Sequence, residues 1–417
     1  MPTTPAAAVA AWSRRSSGSR EAFPRPLRRG AASARARPLS RLGVWSVKRL
    51  VLLGGGHAHV HVLDAMRRAR WTGVEAVLVT PHERQAYSGM LPGVVAGHYR
   101  ASQAVIPLSP LASAADVRFV RASGVGIDAS ARQLRLSDGR TMTYDLLSVD
   151  IGSAPALGAI PGADAHSLYV RPIEDFLARL ERLPGRAGAD ALRAVVIGGG
   201  AAGFELALAM DQRLKGRGAP SPVTWVTGGR APLAGYPARV IGHALGVLRH
   251  RGVEVRGSAC VGVDARAVRL ADGGVLGCDL ALLATGAAAP AWLAGSGLTL
   301  DRRGFIATGP TLQSVSHPEV FAAGDVASRQ DVDHPRSGVY AVRAGPPLAR
   351  NLRRWLAGQP LQVHRPQART LNLLSCGDHT AIASWGSWSA RGRWVWRWKD
   401  RIDRAFIARF GGGVHGG

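Results

Sequence analysis

Short apolar runs that end in glycine alternate with longer stretches of helical periodicity along most of the chain. One, residues 49–53, is apolar after Arg49 and leads into three glycines at 54–56, and a second, residues 194–197, leads into three glycines at 198–200. Uninterrupted apolar runs of this length are typical of strands buried on both faces, as in parallel sheets. The pattern therefore predicts an α/β fold built from strand–turn–helix units.

The first unit has the order expected of a dinucleotide-binding turn. Gly54 and Gly56 follow the first strand, a helix is predicted over residues 57–70, and a second strand over residues 76–80. Glycines in such a turn let the helix N-terminus approach a pyrophosphate, whose charge the helix dipole and the unpaired N–H groups stabilise.

Two positions depart from that pattern. His59 stands where the third glycine is expected, and Thr80 stands at the strand end where an acid would bind a ribose. His57, His59 and His61 also raise a metal hypothesis, but only His57 and His61 share a helix face and no Glu or Cys accompanies them. We predict no metal site and assign these histidines to helix–sheet packing or a phosphate contact.

The second unit is complete. Gly198, Gly200 and Gly203 form a full G-x-G-x-x-G between a strand and an apolar helix, which indicates dinucleotide binding. The next strand ends without an acid and is followed by Arg230. An acid there would favour NAD, and an arginine can accept the 2′-phosphate of NADP, so both nucleotides stay open.

Several segments between and after these units end in glycine or carry unusual chemistry. A buried strand is predicted to end at Gly152, another ends at the pair Gly324-Asp325, and residues 87–93 are predicted to form a loop. A helix is predicted over residues 338–355, with its positive N-terminal end available to a ligand.

The C-terminal region combines an aromatic stripe with a basic face. Trp394, Trp398, Ile402, Phe406 and Phe410 recur every four residues among seven basic side chains over residues 391–409. This composition suits a helix lying on a membrane surface. The alternatives are a helix docked on the core or against a second copy in a homodimer.

The composition of the chain restricts its possible partners and location but does not identify its function. The chain has 417 residues and a net charge of +25, of which the first 45 residues supply +8 through nine arginines and one acid. Such a charge favours anionic partners, although an arginine bias spread over the surface explains it equally. Residues 1–45 are expected to be disordered or a targeting segment, which would make the protein organellar; without targeting we expect a cytoplasmic location, at the inner face of a membrane.

The three cysteines restrict the redox chemistry. Cys260, Cys278 and Cys376 form no Cys-x-x-Cys motif, which excludes a redox-active disulfide of that type and a zinc ribbon. No apolar stretch is continuous enough to predict a transmembrane helix.

Taken together, these motifs resemble the pyridine nucleotide-disulfide oxidoreductase superfamily of flavoproteins. Residues 54–60 and 87–93, with 150–153 and 170–172, look like a subgroup of NADH dehydrogenase-like proteins, some fused to selenide, water dikinase; type II NADH dehydrogenases are wider relatives. The resemblance implies two Rossmann-like domains, with the NAD(P)H domain (166–290) inserted in the FAD domain (46–165 and 291–360), and a small C-terminal α+β region (361–417).

The resemblance also implies the ligand contacts. Glu205 would lie near the nicotinamide. For FAD the implied residues are Gly54, Gly56, His57, Ala58, Thr80, Met90, Leu91, Pro92, Gly152, Gly324, Asp325, Val339 and Tyr340. For NADH or NADPH they are Gly198, Gly200, Gly203, Glu205, Arg230 and Gly286.

The function implied is hydride transfer from NAD(P)H to FAD, followed by electron transfer to a quinone-like acceptor. One alternative is a sulfide:quinone reductase, which would need a cysteine pair near the flavin. An alternative of another class is a non-catalytic flavin-binding or nucleic-acid-associated basic protein, but no nucleic-acid motif is present and we expect no specific nucleic-acid partner.

Overall fold

The computed structural model describes residues 47–182, 192–215 and 222–411. The N-terminal segment 1–45, expected to be disordered or a targeting sequence, lies outside the described residues.

The first part of the described chain contains nine strands and three helices. They are β1 (Lys48–Leu53), α1 (His57–Arg68), β2 (Val74–Thr80), β3 (Arg84–Ala86), α2 (Leu91–Ala96), β4 (Val105–Pro107), α3 (Leu108–Ala114), β5 (Arg118–Arg121), β6 (Gly124–Asp128), β7 (Gln133–Leu136), β8 (Thr141–Thr143) and β9 (Leu146–Val149).

The middle part repeats this arrangement of strands and helices. Its elements are α4 (Ala163–His166), β10 (Ser167–Tyr169), α5 (Ile173–Glu181), β11 (Ala194–Ile197), α6 (Ala201–Lys215), β12 (Val223–Val226), α7 (Ala238–Arg251), β13 (Glu254–Arg256), β14 (Cys260–Asp264), β15 (Ala267–Leu270), β16 (Val275–Gly277) and β17 (Leu280–Leu283).

The last part returns to the first sheet and then forms the C-terminal region. Its elements are β18 (Ile306–Thr308), β19 (Val320–Ala322), β20 (Ala327–Arg329), α8 (Gly338–Leu356), β21 (Asn372–Ser375), β22 (Ala381–Trp385), β23 (Trp388–Gly392) and α9 (Arg393–Gly411).

Two five-stranded sheets, each fully parallel, form the two halves of the fold. The first has the order β19-β9-β1-β2-β5 and the second the order β10-β17-β11-β12-β13. Each half also carries a three-stranded antiparallel sheet, β6-β7-β8 in the first and β14-β15-β16 in the second. The predicted α/β fold with two Rossmann-like units is confirmed. The exact domain boundaries stay predictions.

The first sheet is covered on both faces, which explains its continuous apolar strands. Leu50 and Leu52 of β1 face α1 and α8 together with Phe321 of β19. Val51 and Leu53 alternate with them and face the opposite layer, which contains the β6-β7-β8 sheet. Burying each such side chain contributes about 1.5–3 kcal/mol to the free energy of unfolding, so this layered core fixes the strand ends that carry the candidate site.

The C-terminal helix α9 is docked on the first half of the fold. Phe406 stacks on Tyr87 with ring centroids 4.4 Å apart, and Arg409 Nη2 lies 3.2 Å from Asp64 Oδ2. Phe410 is buried. The docked interpretation is therefore confirmed for the second half of this helix.

The first half of α9 presents tryptophan to solvent. Trp394 is 50% exposed and Trp385, on the adjoining strand β22, is 47% exposed. Trp394 stacks on Trp398, with ring centroids 6.4 Å apart, and the Trp388 ring lies 6.5 Å from that of Trp394. We call Trp385, Trp388, Trp394 and Trp398 the tryptophan patch. Among the described residues, no helix is long and apolar enough to cross a membrane.

Candidate functional site

The first glycine-rich turn joins β1 to α1 with no room for side chains. Gly54 has φ +97°, and a Cβ on it would lie 2.4 Å from the carbonyl oxygen of Asp150. The N–H of Gly56 donates to that same oxygen at 3.1 Å. The helix then begins at His57, so Ala58 lies in its first turn. This is the strand–turn–helix geometry that the sequence predicted.

His59 takes the place of the third glycine for a reason visible in its contacts. Its ring is fully buried, with Nδ1 2.6 Å from the carbonyl oxygen of Gly54 and Nε2 2.8 Å from Ser148 Oγ. The ring therefore ties the end of β1 to the neighbouring strand β9. Burial lowers the pKa of His59 to about 4, so the ring is neutral at physiological pH.

The other two histidines of this turn point to different partners. His57 Nδ1 accepts a hydrogen bond from Gln85 Nε2 at 2.7 Å, and His61 packs edge-on against Phe410. Burial lowers the pKa of both rings to about 4. Within the described ranges, no three His, Cys, Asp or Glu side chains are grouped as metal ligands.

The carboxyl ends of the first sheet bring the predicted FAD residues together. Because β9 lies between β1 and β19, Gly152 and Asp325 both follow strands beside the Gly54 turn. Gly152 has φ +71°, and no atom lies within 4 Å of the position its Cβ would take. Thr80, at the end of β2, is buried with its Oγ1 3.4 Å from the Cβ position of Gly55.

Asp325 has an ionic partner that sequence reasoning did not assign to the site. The Arg171 guanidinium contacts Asp325 Oδ2 and donates to Ser153 Oγ at 2.6 Å. Arg171 follows β10 of the second sheet and therefore connects the two halves at this edge. The side chain of Asp325 is only 12% exposed.

The N-terminus of α8 also lies at this edge. A cavity is lined by Gly324, Asp325, Ser337 and Tyr340 among other residues, and the helix begins at Gly338, directly before Val339. The Tyr340 ring stacks on His334 with centroids 4.6 Å apart. The helix dipole thus directs partial positive charge toward Asp325 and its surroundings.

The prediction of a loop over residues 87–93 is wrong. Ser88–Met90 form a 3₁₀ turn, and α2 begins at Leu91. Proline is tolerated in the first turn of a helix, and Gly97, with φ +85°, ends this one in the left-handed conformation. Met90, Leu91 and Pro92 are buried, the first two in the same core cluster as α6, and their contact with a flavin stays a prediction.

The second turn is tighter than the first. Gly198 has φ +136°, and a Cβ on Gly203 would lie 1.8 Å from the Gly198 carbonyl oxygen. That oxygen accepts a hydrogen bond from Trp225 Nε1 at 2.8 Å, the role that His59 plays in the first turn. At Gly200 and Gly286 no atom lies within 4 Å of the Cβ position. This open cradle at a helix N-terminus fits a dinucleotide pyrophosphate.

Arg230 lies beyond the end of β12. Its carbonyl oxygen accepts a hydrogen bond from Thr227 Oγ1 at 3.1 Å, and its side chain is exposed. Gly228 and Gly229 both have φ +78° with open space around them. The position expected to meet the adenosine ribose therefore has a cation and no carboxylate.

Glu205, on α6, faces the C-terminal region. Its Oε1 accepts a hydrogen bond from the Ser375 N–H at 2.7 Å. Burial raises its pKa to about 7, while the Lys399 ammonium opposes that rise. Lys399 in turn donates to Asp403 Oδ2 at 2.6 Å and to the Gly89 carbonyl oxygen at 2.5 Å. Contact of Glu205 with a nicotinamide stays a prediction.

Comparison with known proteins agrees with this geometry. The family described as pyridine nucleotide-disulphide oxidoreductase matches residues 48–345. The chain belongs to this family. Like its other members, it is an oxidoreductase that uses FAD with NAD(P)H, and the arrangement of Gly54, Gly152 and Asp325 fits FAD at the first sheet.

Individual relatives cover most of the chain. Demethylphylloquinone reductase NdbB of Synechocystis sp. is 25% identical over 352 residues, which is 81% of this chain and 86% of the relative. NADH dehydrogenase-like protein Rv1812c of Mycobacterium tuberculosis is 30% identical over 280 residues, or 62% and 68% of the two chains. The sulfide:quinone oxidoreductase structure from Aquifex aeolicus superposes with a TM-score of 0.72 at 16% identity, covering 88% of this chain and 92% of that one, which shows a shared fold.

The raised pKa of Glu205 predicts a pH effect on stability in this family member. An acid whose pKa is raised in the folded state stabilises the fold fully at low pH and loses that contribution as pH rises through about 7. Glu205→Gln keeps an acceptor for Ser375 and has no charge to lose. We expect its melting temperature to rise relative to wild type between pH 5 and 8. A difference in melting temperature between variant and wild type that is the same at every pH would contradict this. Glu254→Gln, on exposed β13, is the control.

Proposed function

We propose that this enzyme passes the electrons it takes from NAD(P)H to a quinone. The proposal rests on the strand ends that bring Gly54, Gly152 and Asp325 to one edge of the first sheet. The chain is also similar to a demethylphylloquinone reductase over 86% of that relative. When bound, FAD supplies a group that accepts hydride from a nicotinamide and releases electrons to an acceptor.

The side chains of this chain would bind and orient the two cofactors. The glycines at 54 and 56 would allow the pyrophosphate of FAD to approach the start of α1, and Asp325 would accept hydrogen bonds from its ribityl hydroxyls. The N-terminus of α8 would stabilise negative charge on the flavin. Glu205 orients the nicotinamide that enters from the second half.

The proposed acceptor is tested by reoxidation of the reduced protein. Dithionite-reduced holoprotein is mixed without oxygen with a water-soluble quinone, and the return of flavin absorbance is followed. The proposal expects reoxidation whose rate increases with quinone concentration and saturates. Reoxidation no faster than in quinone-free buffer, with fast reoxidation by a ferredoxin instead, would exclude quinone as the acceptor.

A sulfide:quinone reductase is disfavoured by the positions of the cysteines. In the described chain all three are free thiols, and Cys260 and Cys278 belong to the second half. Cys376 is fully buried, and burial raises the pKa of its thiol to about 12, which makes it a poor nucleophile. The similarity to the sulfide:quinone oxidoreductase structure is one of fold.

Arg230 provides a test of nucleotide preference. If it binds the 2′-phosphate of NADPH, Arg230→Ala loses a charge-assisted hydrogen bond of about 1.5–3 kcal/mol. We expect KM for NADPH to rise roughly tenfold or more, with KM for NADH unchanged. Steady-state kinetics with both nucleotides checks this, and Arg266→Ala, in the turn after β14, is the control. An equal change in KM for both nucleotides would show that Arg230 does not bind the 2′-phosphate.

The tryptophan patch supports a further part of the proposal, contact with a membrane surface. Exposed Arg391, Arg393, Arg397 and Arg401 adjoin it, and a mixed aromatic and basic surface favours anionic bilayers. Such a surface would give access to a lipid-soluble quinone. A location at the cytoplasmic face of a membrane, and a homodimer, stay predictions.

Removing exposed Trp394 together with its half-buried neighbour Trp398 should weaken that contact. For Trp394→Ala with Trp398→Ala, we expect co-sedimentation with phosphatidylglycerol vesicles to fall several-fold, because buried aromatic area at the interface is lost. As a control, Leu157→Ala removes another exposed apolar side chain, 64% exposed, elsewhere on the surface. Unchanged vesicle binding by the double variant would argue against the patch as the contact.

A further inference from the structure

The side-chain carboxylate of Asp150 accepts hydrogen bonds from the N–H groups at the start of α1, which an anionic ligand would be expected to use. Asp150 Oδ2 accepts hydrogen bonds from the N–H groups of Ala58 at 2.8 Å and His59 at 2.9 Å. The side chain is 2% exposed. These N–H groups have no partner inside the helix, and in dinucleotide-binding turns they and the helix dipole stabilise the pyrophosphate. The FAD turn therefore contains a negative group of its own.

The second half of the chain provides an internal comparison. A Cβ on Gly54 would lie 2.4 Å from the Asp150 carbonyl oxygen, and a Cβ on Gly198 would lie 2.3 Å from the Ala284 carbonyl oxygen. Asp150 and Ala284 thus hold equivalent positions in the two halves. The NAD(P)H turn has a methyl group where the FAD turn has a carboxylate.

The Asp150 carboxylate leaves no room for a side chain at either of the two neighbouring glycines, Gly56 and Gly324. A Cβ on Gly56 would lie 2.5 Å from each carboxylate oxygen of Asp150, and a Cβ on Gly324 would lie 2.6 Å from Oδ1. At Gly200, the counterpart of Gly56, no atom lies within 4 Å. Asp150 therefore reaches from the first glycine turn to the Gly324-Asp325 pair, the two parts of the FAD site.

The charges around Asp150 do not neutralise it. Among the described residues it forms no ion pair, and the charge that acts on it is the carboxylate of Asp325, which raises its pKa further. His57 and His59, on α1, are neutral at physiological pH because burial lowers the pKa of each ring to about 4. The Arg171 guanidinium contacts Asp325 rather than Asp150. Burial raises the pKa of Asp150 to about 7, and Asp325 adds to the rise.

We propose that FAD binding is coupled to the uptake of one proton by Asp150, whereas nucleotide binding at the second turn is not. The pyrophosphate brings negative charge to a helix terminus where a buried carboxylate already accepts two hydrogen bonds. Protonation removes the repulsion and leaves an oxygen that can still accept from Ala58 or His59. The inference rests on FAD occupying the first turn.

The sign of the effect follows from linkage. Below pH 7 Asp150 is already protonated in the free protein, and FAD binds without a proton. Above pH 7 the free protein holds a carboxylate, and a ligand that raises its pKa must bind together with a proton. The dissociation constant for FAD therefore rises with pH, by up to about tenfold per pH unit.

The test uses full-length apoprotein from which flavin has been removed. FAD is titrated between pH 6 and 9 by fluorescence quenching, and calorimetry in two buffers of different ionisation enthalpy at pH 8.5 counts the protons taken up. We expect the dissociation constant of wild type to rise at least tenfold from pH 7 to 9, with uptake approaching one proton per FAD. Asp150→Asn, which keeps an oxygen acceptor for the helix, should show neither effect.

Two controls separate Asp150 from other groups. ADP-ribose, which fills the second turn without a nicotinamide beside Glu205, should bind to FAD-loaded wild type without taking up a proton, because Ala284 replaces the carboxylate. Asp145→Asn removes a carboxylate that caps the start of β1, where Oδ2 accepts from the Arg49 N–H at 2.7 Å, and should behave as wild type with FAD.

Three results would overturn the proposal. They are a wild-type dissociation constant that does not change with pH, no proton uptake by wild type, or uptake that persists in Asp150→Asn. If that variant fails to fold, the proton count on wild type still decides. An apoprotein that binds no FAD at any pH would instead contradict the assignment of FAD to this chain.

Discussion

Asp325→Ala is expected to leave the protein almost free of FAD. The carboxylate is nearly buried, contacts Arg171, and lies at the strand end that meets the ribityl chain in the proposed site. Hydrogen bonds to a charged group contribute about 1.5–3 kcal/mol, and the substitution also removes the ionic partner of the Arg171 guanidinium. We expect the dissociation constant for FAD to rise roughly 100-fold.

The flavin content of purified protein and a titration of apoprotein with FAD measure this effect. Asp138→Ala is the matched control, because that carboxylate is exposed and pairs with Arg140 at a turn of the same half. A variant that retains stoichiometric FAD with wild-type affinity would show that Asp325 is not a flavin ligand.

Gly203→Ala is expected to disrupt the second dinucleotide turn. Its Cβ would lie 1.8 Å from the Gly198 carbonyl oxygen and 2.8 Å from Trp225 Nε1, so α6 must move away from β11. Overpacking of this kind costs about 3 kcal/mol, and here it displaces backbone. We expect a lower melting temperature and loss of flavin reduction by NAD(P)H, while FAD in the first half is retained.

A substitution at a second glycine of the same turn distinguishes an effect on stability from an effect on nucleotide binding. At Gly200 a Cβ would meet no protein atom within 4 Å, so Gly200→Ala should keep the wild-type melting temperature yet obstruct the pyrophosphate. Gly246→Ala, inside helix α7 with open space around it, should bind both nucleotides as wild type does and should not lower the melting temperature. Equal melting temperatures for Gly203→Ala and Gly200→Ala would contradict the close approach of helix and strand.

The strand ends and glycine turns could be predicted because their signals are local. Continuous apolar runs report strands buried on both faces, and the glycines follow them directly. The helix at Leu91–Ala96 was also predictable in principle, from Pro92 in its first turn and Gly97 at its end. The prediction of a loop over residues 87–93 took Pro92 and the glycines beside it as turn residues and did not consider Gly97.

The contacts that give the site its charge could not be predicted this way. Arg171 and Asp325 are 154 positions apart, and Glu205 and Ser375 are 170 apart. Asp150 reaches the first turn only because β9 pairs with β1, an order set by packing of the whole sheet. A local pattern identifies the turn, whereas the groups that tune its affinity come from neighbouring strands.

The most direct test of the central claim is anaerobic mixing of the purified holoprotein with NADH or NADPH, followed by flavin absorbance. The account predicts rapid bleaching by at least one nucleotide in wild type, and none in Gly200→Ala, whose flavin dithionite still reduces. Bound FAD that dithionite reduces but neither nucleotide does would contradict hydride transfer from NAD(P)H as the reaction of this protein.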